Sequence, residues 1–114
     1  MEERQPIDIT IGTKGIVVRA IPNEKNNEIY KCEWVLLVSH VKTDGADKLL
    51  LYRHASINNK GWHLTGPSKK PILWGRVDYY DFYLATEEEK KQIKEQLLSN
   101  GLKYVKAINK VIDR

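Results

Sequence analysis

The sequence predicts an α+β fold: a small antiparallel β-barrel or half-barrel, SH3-like or OB-like in outline, of five to six strands covered by a C-terminal α-helix. Two observations carry that expectation. Runs of β-branched and aromatic residues, punctuated by turn chemistry, fill the first three quarters of the chain, and one sharply capped amphipathic helix follows them. A third, the length of 114 residues, suits a single domain over 1–114, in which few strands cover an apolar face most economically by curling under a helix. Residues 1–6 form a candidate flexible arm. With 41% hydrophobic and 30% charged residues, the composition is globular rather than disordered.

Taken in order, "IDITIG" alternates Ile7, Ile9 and Ile11 with polar residues, a short strand pattern suited to an arm or a sheet edge. "GIVVRAI" (15–21) is a second strand, closed by Pro22 and the polar loop "PNEKNNE". "IYKCEWVLLVSHV" (29–41) gathers its polar residues at the start, so its later half is expected to be buried on both faces. "KTDGAD" supplies a turn, and "KLLLYRHASI" (48–57) returns as the hairpin partner. A two-residue turn on Asp44–Gly45 would set His40 opposite Leu49 and His54 opposite Val35. "WHLTG" and "ILWGRVDYYDFYL" (72–84) complete the strands, the latter interrupted or bulged at Gly75.

The helix is the clearest signal. Thr86 and Glu89 spell a capping box, and Glu87, Glu88 and Glu89 place three carboxylates in the electropositive first turn. Ile93, Leu97 and Leu98 make the apolar stripe, with Lys90, Lys91 and Lys94 facing outward; Gly101 suits a left-handed terminator. Residues 102–112 fit either a helical face or two strands with a turn near Asn109. On a helix, Lys103, Lys106, Lys110 and Arg114 would form one cationic stripe; strands would dissolve it.

Several chemistries find little support. Cys32 is the lone cysteine, so there is no intrachain disulfide or thiolate-rich metal site, and its place between Tyr30 and Trp34 suits core filling. His40, His54 and His63 lack zinc-ligand spacing. No Gly-rich phosphate loop, nucleophile elbow or H-E-x-x-H helix occurs, and Asp78 and Asp81 would point oppositely in a regular strand. The expectation is a non-enzyme with no cofactor and no metal. The N-terminal "MEERQPIDIT" lacks the apolar run of a signal peptide and no apolar run spans a membrane, so the expected location is cytoplasmic, without a membrane partner.

Charge is less ordinary. The formal net charge is +4, and from Lys48 through Val77 there is no carboxylate. The same stretch interleaves cations with Tyr52, Trp62 and Trp74, a composition that neutralises phosphates and stacks bases. Its loop "GPSKKP" restrains two lysines between prolines. The expected nucleic-acid-binding set is Lys60, Trp62, Lys69, Lys70 and Arg76, with Trp62 stacking, and the partner is DNA or RNA. Against this stands neutralisation within the fold, because the acidic segment that follows can lie against the basic one in space. The alternative function is a protein-interaction or self-assembly module of unknown process, with a protein partner or as a homo-oligomer in which basic and acidic segments of two subunits meet.

The segment "YLATEEEKKQIKEQLLSNGLKYVKAINKVI" (83–112) resembles small uncharacterised proteins of phages and bacterial mobile elements. Ala85, Thr86, Glu88, Glu89, Lys90, Ile93, Leu97, Gly101 and Tyr104 carry the resemblance. It implies a closing strand pair after Gly101 and a bacterial accessory protein that acts by binding.

Overall fold

The computed structural model describes residues 5–26, 33–44, 46–58 and 69–114. Strands β1 (Lys14–Pro22), β2 (Trp34–Asp44), β3 (Ala46–Asn58), β4 (Ile72–Arg76) and β5 (Tyr80–Leu84) form one antiparallel sheet in the order β4-β3-β2-β1-β5. Helix α1 (Glu87–Ser99) follows, then a separate hairpin of β6 (Leu102–Val105) and β7 (Lys110–Asp113). The α+β class and the antiparallel pairing are as the sequence predicts.

The barrel is not closed. β4 and β5 are the two edges of the sheet and do not pair with each other. They are nevertheless joined by a single 3-10 turn, Val77–Tyr79. Five flat strands at about 4.8 Å spacing would hold those edges about 19 Å apart. Four residue steps reach at most about 14 Å even when extended. The sheet must therefore curl, and it stops short of closure.

β2 is the axis of the packing. Every residue from Val35 to Ser39 is buried, as expected for the later half of its run, because each face has its own cover. Leu36 and Val38 pack with Val18, Ala20, Ile9, Tyr80 and Phe82 on one side. Val35 and Leu37 meet Ile93, Leu97, Leu102 and Val111 on the other. One strand thus serves two cores, which is why its sequence reads as a continuous apolar run instead of an alternation.

The N-terminal segment is an ordered arm laid along a sheet edge, within what its short alternation allowed. The Ile7 amide donates to the Phe82 carbonyl at 3.0 Å and the Leu84 amide to the Gln5 carbonyl at 2.9 Å, so Gln5 and Pro6, placed in the candidate flexible arm, line the outer edge of β5. The chain then turns at Thr10–Thr13. Ile9 is buried but Ile11 is 66% exposed, and the alternation ends after two residues.

The β2–β3 hairpin also differs from expectation. Asp44 pairs with Ala46, so the turn holds one residue between paired partners, and His40 opposes Leu50 rather than Leu49. Two register shifts follow further along the ladder. In β4, Leu73 opposes Leu50 while Gly75 opposes Leu49. Trp74 is the extra residue, a bulge beside Gly75 where one was expected. The short strand "WHLTG" and the core placement of Cys32 fall outside the described residues.

The helix forms as its sequence demands. The Glu89 amide donates to Thr86 Oγ1 at 3.2 Å and the Thr86 amide to Glu89 Oε1 at 2.9 Å, which completes the capping box. Gly101 ends it at φ +72°. Residues 102–105 and 110–113 are strands rather than one α-helix, joined by a 3-10 turn, Lys106–Ile108, that ends at Asn109 with φ 47°. Its amide group accepts the Tyr104 hydroxyl at 2.8 Å and donates to the Ser39 carbonyl at 3.0 Å, pinning the hairpin to β2. Gly15 makes room for this latch: a Cβ there would lie 2.6 Å from the Tyr104 hydroxyl.

Candidate functional site

Strand register assembles the basic residues more tightly than sequence distance suggests. Lys42 opposes Lys48 across β2–β3, and Lys48 opposes Arg76 across β3–β4. Three neighbouring strands therefore hold a row of basic residues at aligned register positions, about 10 Å across at the usual strand spacing. Like charges in such positions repel. Asp44, two residues along β2 from Lys42, has the same parity and borders the row at the turn.

Arg76 has its own counter-charge. Its Nε and Nη2 donate to the two Asp78 carboxylate oxygens at 2.9 and 2.7 Å, and the guanidinium lies 4.8 Å above the Tyr79 ring. The 3-10 turn directly after β4 brings both partners within reach. The guanidinium holds the Asp78 carboxyl below the usual aspartate range, chiefly by hydrogen bonding, and Arg76 is raised in turn. Both side chains remain about two-fifths exposed. Lys69 reaches Asp113 of β7 at 3.0 Å, also at the surface, while Lys70 is exposed beside it.

Of the sequence-predicted set, the structure brings Lys69 and Lys70 to the entry of β4 and Arg76 to its exit. Lys60 and Trp62 lie outside the described residues. Arg76 and Lys69 each meet a carboxylate of the fold, in line with the neutralisation weighed from the sequence. Lys42 was missed because it precedes the carboxylate-free stretch, and only register reveals it as a neighbour of Lys48. The cationic stripe that a C-terminal helix would have made is absent, because these residues form strands. Lys103 and Lys110 fall on the same side of the β6–β7 hairpin instead, because Lys110 opposes Val105.

A second basic feature borders α1. Val17, Leu37, Ile93 and Leu97 floor an apolar groove of about 330 Å³ between the helix and β6, and Lys90, Lys94 and Lys103 stand at its rim. It opens because α1 lies chiefly over β2, β3 and β6, which leaves Val17 of β1 half-buried. At its N-terminal end the helix is tied to β1 by charge. Arg19 donates to Glu89 Oε2 at 3.0 Å and through Nε and Nη2 to Glu33 Oε1 at 3.2 and 2.8 Å. Glu89, only 6% exposed, therefore caps the helix with one oxygen and binds Arg19 with the other. The capping box was legible in the sequence; the second role of Glu89 was not.

Among the described residues no three His, Cys, Asp or Glu side chains converge on a possible metal position, and no helix is long and apolar enough to cross a membrane. His40 Nδ1 sits 2.9 Å from the Ser39 hydroxyl. Asp78 is committed to Arg76, and Asp81 stands exposed on β5. No protein-family model, curated protein or solved structure matches the chain.

Proposed function

We propose that the protein is a non-catalytic binding module for nucleic acid, acting as an accessory protein in a bacterial cell, with the cationic row of β2–β4 and the Lys69–Lys70 loop as its contact surface. The observation that carries this reading is the register Lys42–Lys48–Arg76. Basic residues at opposed positions repel, and beyond the Asp78 carboxylate on Arg76 an anion with repeated charges would relieve them. The Asp78 and Asp113 pairs do not oppose it strongly, because exposed ion pairs are weak and a phosphate can displace the carboxylate. We read the sheet as an open SH3-like half-barrel, since a meander of four strands sends its fifth, through one 3-10 turn, back beside the first.

The test is anisotropy of labelled single- and double-stranded oligonucleotides at rising salt. The expected result is binding whose logarithm falls linearly with log salt, with a slope of several ions. Replacing Lys42, Lys69 and Lys70 by Ala should flatten that slope by about one ion per phosphate contact removed. No binding at low salt, or an unchanged slope in the triple variant, would overturn the assignment.

One observation favours a second reading, the self-assembly module. Among the described residues the outer edge of β4 has no partner strand, and Leu73 on it is 59% exposed. An open edge pairs readily with another chain. Mass that rises with protein concentration in the same samples would support it.

A further inference from the structure

The groove beside α1 is separate from the cationic row and has a different chemistry. Its floor is aliphatic, and the one hydroxyl near it, on Tyr104, is already given to Asn109 at 2.8 Å. A ligand seated there finds no hydrogen-bonding partner for a polar body. Its rim is the opposite. Lys90 has Glu87 at 3.3 Å, but Lys94 and Lys103 have no carboxylate partner among the described residues. Lys90 and Lys94 are four residues apart, hence neighbours on the helix surface that repel each other. Their long stems can lie along the apolar wall while the ammonium groups stay in water.

We propose that this groove binds a small amphiphilic monoanion: a carboxylate on an unbranched or aromatic apolar body. The volume sets the size. At about 30 Å³ for each water-sized group, 330 Å³ accommodates about eleven of them, the bulk of a medium-chain acyl acid, and it sits at the small end of ligand cavities. The apolar tail covers Val17 and Leu98, both half-buried in the free protein. The carboxylate stays at the mouth, where Lys94 and Lys103 supply charge that no carboxylate among the described residues matches. Sugar phosphates and other polar anions are rejected, because their hydroxyls would be buried against aliphatic carbon.

The experiment is a titration of the isotope-labelled protein with octanoate, followed by amide chemical shifts, with octan-1-ol as the uncharged control. Saturable shifts confined to the surroundings of Val17, Leu37, Leu97, Leu98 and Tyr104 are expected. The alcohol should bind about tenfold more weakly, and the double variant Lys94→Ala, Lys103→Ala should reduce octanoate affinity to the alcohol's level. Leu98→Trp, at a half-buried rim position, should block both ligands without disturbing the core. Shifts that fail to saturate or scatter over the surface, equal affinity for acid and alcohol, or an unaffected double variant would overturn the proposal. An acidic amphipathic peptide that saturates the same resonances more tightly would also overturn it, in favour of a protein partner. An oligonucleotide that displaces octanoate would assign the groove to the nucleic-acid surface instead. Failure of oligonucleotide binding alone would leave octanoate binding intact, so the two readings fail separately.

Discussion

Arg19 and Arg76 make the same kind of contact in two different places, and the difference locates what is structural and what is available. Arg19 is mostly buried between β1 and α1, with Glu89 on one side and Glu33 on the other. Arg76 sits at the end of β4 with Asp78, and both of those side chains are open to water. A pair removed from solvent is costly to break, because the surviving charge has no water to replace its partner. An exposed pair exchanges its partner freely. The charges under the helix therefore hold the fold, while the exposed pair after β4 exchanges partners at little cost.

Glu89 offers the hardest way to break that comparison. Glu89→Ala removes the carboxylate that binds Arg19 and the reciprocal half of the capping box together, and should cost about 2 kcal/mol in denaturant unfolding. Two variants divide the loss. Glu89→Gln keeps an acceptor for the Thr86 amide but removes the charge, and Thr86→Ala removes the cap but keeps the ion pair. Each should cost about 1 kcal/mol. If Glu89→Ala is no worse than Thr86→Ala, then Glu89 acts only as a cap and the contrast between the arginines fails on its buried side.

The two arginines also show what the sequence could disclose. "TEEE" announces a capping box because its partners are three residues apart and the chemistry is local. The helix stripe, the turn glycine at 101 and the doubly buried half of β2 were readable for the same reason: each is a pattern within one element. What was not readable depends on register and on which element lies over which. Arg19 and Glu89 are seventy positions apart, and Lys42 becomes a neighbour of Lys48 only because Asp44, not Thr43, pairs with Ala46 at the β2–β3 turn. A one-residue change at that turn moves every partner along the ladder. The choice between a closed and an open barrel was equally hidden, since closure depends on whether β4 and β5 come close enough to pair. The alternation of Ile7, Ile9 and Ile11 was right about an arm at a sheet edge but overran it, because the arm turns at Thr10–Thr13 and leaves Ile11 exposed. At residues 102–112 periodicity fitted both helix and strands; Asn109, whose side chain tolerates the left-handed turn and bonds β2, decides for strands.

The exposed side of the comparison yields the smallest structural effect and the most pointed functional one. Asp78→Asn removes the counter-charge from Arg76 while the side chain keeps its shape. Both groups are at the surface, so the unfolding midpoint should not move measurably. Oligonucleotide affinity should rise, because Arg76 no longer has a carboxylate for a phosphate to displace and the row gains a net positive charge. The pH dependence has a definite sign. Asp78 titrates below the ordinary aspartate range in the folded protein, so whatever the pair contributes to stability is complete above the ordinary value and is lost only as pH falls through the lowered one. Its carboxyl carbon, followed by NMR, should show that lowered midpoint, and Arg76→Ala should return it to the usual range. If Asp78→Asn leaves oligonucleotide affinity unchanged while the Arg76→Ala titration behaves as expected, the pair exists in solution but Arg76 is no part of the binding surface, and the contact must be sought along Lys42, Lys69 and Lys70.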